Sequence, residues 1–223
     1  MQANPGDPTP AIPPPAAILF DLDGTLIDSV ELIVRSYQHA AALHLGRSLE
    51  RAAIVRTIGL PLDRTMETLA PGRGATLVAA YREYMHANHD DLVCAFPGVT
   101  DLLHRLRGRG YRLGIVTAKN RPAATLAFRL CGLDALVDVT ICGEDTTHHK
   151  PAPDPLLAAA AALAVDPRGC CYIGDAPTDL LAARAAGMPA IAATWGAGTR
   201  DELAAVGPDL WLDAPLDFLP HCP

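Results

Sequence analysis

The stretch Ala16-Ala17-Ile18-Leu19-Phe20-Asp21-Leu22-Asp23-Gly24-Thr25 decides how the rest of the chain is read. Five apolar residues in a row, without polar alternation, suit a strand buried on both faces of a parallel sheet. Two carboxylates then arrive where the strand must end, and Gly24 permits a sharp turn. Side-chain alternation weakens at a strand end, so Asp21 and Asp23 can reach into the same crevice. One ionised nucleophile beside one proton donor is a division of labour that such a pair suits. The spacing also has plainer readings. Aspartates are common turn formers, and Asp-x-Asp-Gly opens calcium-binding EF-hand loops. Those loops need further oxygen ligands and a terminal Glu. Here the chain continues Leu26-Ile27-Asp28, with no Glu at the twelfth loop position.

Further short apolar runs occupy 112–117, 139–142, 170–173, 190–194 and 210–212, each bounded by Gly, Asp or Thr. Helix signals lie between most of them. Residues 99–109 precede Gly110, 121–131 precede Gly132, and 177–186 end at Gly187. Asp154 is placed to cap a helix with Pro155 at its first position, and Thr199-Arg200-Asp201-Glu202 fits a capping box. The alternation predicts an α/β fold with a doubly wound, parallel, Rossmann-like sheet. One region breaks it. No strand pattern is evident between Asp28 and about Ala95, and 30–45, 49–57, 62–69 and 75–89 all look helical. Breaks fall at Gly46, at Gly59-Leu60-Pro61 and at Pro71-Gly72. The expected organisation is therefore an α/β core, residues 16–29 and 95–223, with a helical cap, 30–94, inserted after the first strand. Such an insert sits over the carboxyl edge where open α/β sheets bind ligands. Residues 1–15 hold six prolines and no basic region ahead of an apolar stretch, and read as a disordered extension rather than a signal peptide.

Bulk properties narrow the classes. With 223 residues and half of them apolar, the chain can build one large core plus a modest insert. The net charge of −7 and the lack of a Lys/Arg run argue against nucleic-acid binding. No apolar run approaches the ~20 residues of a membrane span. The six cysteines form no C-x-x-C pair and no zinc pattern, which fits buried reduced thiols in a cytoplasmic protein. Monomer and homodimer remain equally open.

Three further segments bear chemistry. Gly174-Asp175 follows the run 170–173, with Asp179 four residues on and Pro177 suited to open a helix. Either aspartate alone could be a helix cap or a dipole partner. A second acid-bearing strand end changes that, because carboxylates gathered at one edge repel unless a hard cation such as Mg²⁺ joins them. Thr117 ends its strand; its hydroxyl, with the backbone N–H groups of Ala118 and beyond, can hold a phosphate oxygen, or it is simply a strand threonine. Lys150, before Pro151-Ala152-Pro153, can neutralise a phosphoryl group or lie in solvent. For Lys119 the surface is the expected place, and His148 and His149 read as loop residues.

Together, Phe20-Asp21-Leu22-Asp23-Gly24-Thr25-Leu26, Thr117, Lys150-Pro151 and Gly174-Asp175 with Asp179 resemble the haloacid dehalogenase superfamily, in order and spacing, over nearly the whole chain after residue 16. Ser36-Tyr37-Gln38-His39, 58–62, 150–155 and Trp195-Gly196 are similar to its phosphoglycolate phosphatases and related pyrophosphatases. The resemblance implies two-step phosphoryl transfer. Asp21 would be the nucleophile that forms an aspartyl-phosphate, and Asp23 the general acid and base. Mg²⁺ would be held by Asp21, the backbone carbonyl of Asp23 and Asp175, with Asp179 in support. Thr117, Ala118 and Lys150 would bind the phosphoryl oxygens, and the turn Gly59-Leu60-Pro61 would face the site and select a small phosphorylated metabolite. Within that resemblance, Asp23 argues against dehalogenation, and Ile33 stands where a β-phosphoglucomutase-like enzyme carries a cap histidine. A lysine placed as in phosphonoacetaldehyde hydrolases is lacking. Pyrophosphatase and mutase remain alternatives, as does a catalytically idle metal-binding relative.

Overall fold

Strand β1 (Ala17–Phe20) forms where the opening stretch puts it. Its residues divide by alternation: Ile18 and Phe20 enter one apolar cluster, Ala17 and Leu19 another. Both faces of the sheet are thus cores, which is why the strands read as unbroken apolar runs. The computed structural model describes residues 12–223. The expected extension falls largely outside that range, but Ile12 and Pro15 are buried, and Ile12 joins the cluster of Ile18 and Phe20.

The chain then runs β2 (Ile27–Asp28), four helices α1 (Val30–Leu45), α2 (Arg51–Val55), α3 (Leu62–Leu69) and α4 (Gly74–Leu92), and β3 (Cys94–Ala95). After these come α5 (Val99–Gly108), β4 (Arg112–Val116), α6 (Arg121–Cys131), β5 (Val139–Ile141), α7 (Asp154–Ala162) and β6 (Cys170–Gly174). The series closes with α8 (Pro177–Ala185), β7 (Ala190–Ala193), α9 (Arg200–Val206) and β8 (Leu210–Leu212). The main sheet is wholly parallel in the order β5-β4-β1-β6-β7-β8. The chain builds outward from β1 on one side through β4 and β5, then returns to build on the other through β6, so β1 lies at the topological switch point, where ligands bind such sheets. Helices α5 and α6 cover one face through Leu102, Leu103, Leu106, Ala124 and Phe128. Helices α7 and α8 cover the other through Leu156, Ala160, Leu180 and Ala183.

The predicted helical insert is present, but its boundaries hold structure that the sequence did not signal. Ile27–Asp28 and Cys94–Ala95 pair antiparallel, Ile27 opposite Ala95 and Asp28 opposite Cys94. Two-residue strands are too short to show periodicity, so this ladder has no sequence signature. It ties the two crossings between core and cap together. Within the cap, α1 and α4 pack through Tyr37 and Tyr81, whose rings meet edge-on with centroids 5.2 Å apart. Helix α7 starts one residue earlier than expected: Asp154 is its first residue rather than its cap, and its carboxylate meets His148 Nδ1 at 2.8 Å. Among the described residues no helix is long and apolar enough to cross a membrane.

Candidate active site

Three strand ends deliver the polar residues. β1 delivers Asp21, whose N–H bonds Ile173 O at 2.9 Å and so fixes it against β6. The next residues coil tightly: the N–H groups of Leu26 and Ile27 both reach Leu22 O, and Gly24 donates to Ile27 O. Gly24 sits at φ +88°, and a Cβ there would lie 2.2 Å from Asp175 Oδ2. Both conformation and space therefore demand glycine. β6 delivers Gly174-Asp175, and Asp179 follows in the first turn of α8, where its Oδ2 accepts the Ala176 N–H at 3.0 Å. β4 delivers Thr117, whose N–H bonds Ile141 O at 2.9 Å and whose Oγ1 accepts the Lys119 N–H at 3.1 Å.

Lys150 arrives from the loop before α7 and is only 4% exposed. Its Nζ donates to Asp21 Oδ1 at 2.8 Å, Asp179 Oδ1 at 2.6 Å and Tyr172 Oη at 3.0 Å. Burial works against its charge, but Asp179 and Asp21 outweigh it and hold the ammonium protonated well beyond the usual lysine range. Tyr172 donates in turn to Val116 O at 3.0 Å, and burial keeps its phenol in the neutral form. The second Asp21 oxygen takes no hydrogen bond among the described residues, and the residue lines the main cavity. Asp175 is fixed from both sides: Oδ1 accepts the Thr25 hydroxyl at 2.9 Å, and Oδ2 accepts the Ala197 N–H at 2.7 Å. Gly196 lets that loop close, since a Cβ there would meet Asp175 Cβ at 2.4 Å.

Asp21, Asp175 and Asp179 each present an oxygen, all within 4.8 Å of one another. Three buried carboxyl groups share one ammonium. Burial pushes Asp21 well up despite Lys150, and burial followed by Asp179 pushes Asp175 up to about 7. A donor set of this kind, oxygen-only and short of positive charge, suits a hard divalent cation. The carboxylate of Asp23 stands apart from the trio. Its Oδ1 accepts the Ser29 hydroxyl and the Lys119 ammonium.

Lys119 is therefore not at the surface, where the sequence reading put it. Its side chain is 10% exposed and ion-paired with Asp23. Tyr172, Thr25 and Ser29 were also missed. Each acts through a partner distant in sequence or in a coil without periodicity; for Lys119, adjacency to Thr117 at a strand end was a usable signal.

A cavity of about 470 Å³ opens over Asp21 and Asp23 between core and cap. Thr117, Ala118 and Lys119 line its core side, and Ile33, Tyr37, Tyr81, Arg82 and Met85 its cap side. Gly59 and Leu60 line both this cavity and a smaller one of about 260 Å³ beside Asp175, while Pro61 lines the larger. The cap turn thus lies against the space above the carboxylates. His149, expected as a plain loop residue, also borders the main cavity.

The chain matches the family of haloacid dehalogenase-like hydrolases over residues 18–193, and it belongs to that family. It is 36% identical over 202 residues, 91% of this chain and 94% of the other, to the pyrophosphatase PpaX of Anoxybacillus flavithermus. A solved hydrolase from Pseudomonas syringae superposes with a TM-score of 0.84 at 28% identity, covering 92% of this chain and 96% of that one. A Lactobacillus plantarum structure described as a phosphoglycolate phosphatase gives 0.83 at 29% identity, covering 93% and 99%.

Proposed function

We propose that this protein is a Mg²⁺-dependent phosphatase that hydrolyses a small phosphorylated metabolite through an aspartyl-phosphate on Asp21. The observation that carries the reading is the contact of Lys150 with Asp21 at 2.8 Å beside Asp175 and Asp179. An anionic carboxylate can approach an anionic phosphate only where positive charge offsets its burial; Lys150 supplies part of that charge and aims Asp21, and a divalent cation held by the carboxylates would supply the rest. Asp21 uses its unbonded oxygen to attack phosphorus in line. Lys150 and the Thr117–Ala118 strand end hold the equatorial phosphoryl oxygens, where charge accumulates in the transition state.

Asp23 donates a proton to the leaving oxygen and then takes one from the water that hydrolyses the intermediate. Lys119 and Ser29 fix its carboxylate for both tasks. Asp21, Asp175 and the backbone carbonyl of Asp23 would hold Mg²⁺, with Asp179 in support, and the ion would supply electrostatic stabilisation of the transferring group. Thr25, Ala197 and Gly196 fix the Asp175 carboxyl group in place.

Relatives named for pyrophosphate and for phosphoglycolate hydrolysis make these two the leading substrate candidates. The mutase alternative is disfavoured by Ile33, which borders the cavity without a titratable group. A phosphate-release screen over small phosphorylated metabolites, with and without Mg²⁺, tests the reading. Release that requires Mg²⁺ is expected. No release from any ester would overturn the reading, and release unaffected by chelation would overturn the metal's part in it.

A further inference from the structure

Arg82 stands on the cap side of the main cavity, on α4 beside Tyr81 and one turn before Met85. Among the described residues, the Lys and Arg side chains that line this cavity are Lys119 and Arg82. Lys119 is committed to Asp23. Arg82 is not committed. Its nearest carboxylate, on Asp63, is 3.9 Å from Nη2 and lies on a side chain 77% exposed to solvent. That separation is beyond hydrogen-bond reach. Its Nε is enclosed and meets no hydrogen-bond acceptor among the described residues. The rest of the cavity is poor surroundings for an anion: Asp21, Asp23, Asp63 and Glu144 all border it, and Tyr37, Tyr81, Met85 and Leu60 supply mostly apolar surface.

We propose that Arg82 receives a second anionic group of the substrate, so that the enzyme selects phosphates whose leaving group is itself charged, such as inorganic pyrophosphate or a phosphorylated short carboxylic acid. The proposal rests on the phosphatase reading above. On that reading Asp21, backed by Lys150, stands at the core end of the cavity, where a cation held by the carboxylates would help to neutralise the phosphoryl group. A guanidinium at the cap end serves whatever is attached to it. Arginine remains charged at any working pH, and its planar fork matches a carboxylate or phosphate with two parallel hydrogen bonds. A neutral sugar or alcohol leaving group gains nothing from it, and has the acidic and apolar wall to itself.

The test compares kcat and KM on inorganic pyrophosphate, 2-phosphoglycolate and glycerol 3-phosphate for the wild type, Arg82→Gln and Arg82→Lys, all with Mg²⁺. The wild type should favour pyrophosphate or 2-phosphoglycolate over glycerol 3-phosphate by at least about tenfold in kcat/KM, since a site built for a polar group discriminates by that much or more. Arg82→Gln should raise KM for the favoured substrate about tenfold or more, with kcat and glycerol 3-phosphate hydrolysis changed by less than about threefold. Whichever anionic substrate shows the selective loss identifies the second group as phosphate or carboxylate. Arg82→Lys should recover part of the affinity, because it restores the charge without the fork, and it carries the test alone if Arg82→Gln fails to fold.

Equal losses on all three substrates, or no loss on any, would overturn the assignment. A wild type that prefers glycerol 3-phosphate would overturn it and leave the phosphatase reading standing. A wild type that releases phosphate from none of the three, or from any other ester, would take both down together.

Discussion

The two walls of the main cavity are built on opposite plans. On the core side, polar side chains are buried and have assigned partners: Asp23 is held by Lys119 and Ser29, and Asp21 by Lys150, which stands behind it rather than on the cavity wall. On the cap side, Ile33, Tyr37, Leu60, Tyr81 and Met85 offer shape and apolar surface, with Arg82 as an uncommitted charge. Preorganised electrostatics belong where bonds change, because fixed dipoles need no rearrangement as charge develops. A wall that has to fit one leaving group and refuse others needs shape more than fixed charge. On the function proposed above, the core wall carries the reaction and the cap wall the choice of substrate.

The hardest blow to the core wall is Asp21→Asn. Turnover should fall by roughly four orders of magnitude or more, as for removal of a nucleophile in general. The fold should persist or gain stability, because the swap removes one carboxyl group from a crowded buried cluster; circular dichroism and thermal unfolding check this. Near-normal hydrolysis by the variant would end the covalent mechanism. Lys150→Met comes next. Phosphate release should drop about 10²–10³-fold, and urea unfolding should show a loss of about 3 kcal/mol, because three buried carboxyl groups lose their counter-charge. Full activity in that variant would show that Lys150 merely fills space.

Tyr172→Phe removes one hydroxyl that sits between Lys150 and Val116 O. A stability loss of about 1 kcal/mol and a rate loss under about tenfold are expected, and a loss as large as that of Lys150→Met would mean that the tyrosine touches substrate. Leu60→Ala, on the cap wall, should have the smallest effect. The ranking of phosphate esters by kcat/KM should shift by a few-fold, about 1 kcal/mol of discrimination, while stability stays within about 0.5 kcal/mol because the side chain is 36% exposed. A uniform loss on every ester would contradict the division between the walls.

How much of this was legible beforehand follows the same division. The six long strands were read to within a residue at each end, because burial on both faces leaves an unbroken apolar run and glycines mark the turns. Asp21, Asp175 and Thr117 could be singled out because each follows or ends such a run, and Lys150 because it precedes Pro151-Ala152-Pro153 in a stiffened loop. Tyr172 was invisible: on a buried strand an aromatic reads as core, and nothing local tells that its hydroxyl meets a lysine 22 residues away. Lys119 was misjudged because its partner, Asp23, is 96 residues distant. Arg82 lay on an amphipathic helix where one charge resembles any other until the opposing wall is known. The β2–β3 ladder escaped because two residues cannot show a period.

That ladder has a consequence for how the molecule can be altered. The chain leaves the core at Ile27–Asp28 and comes back at Cys94–Ala95, and these positions are hydrogen-bonded neighbours. An insert whose ends already coincide adds almost no loop-closure cost to the host sheet. The four helices are in effect a plug-in part: a foreign folded segment with adjacent ends could be spliced between residues 29 and 94 without disturbing the register of β1 against β4 and β6. The scaffold can therefore be refitted for new cargo by exchanging one cassette, with the strand ends of its reactive edge, and Ser29 beside Asp23, kept in the host.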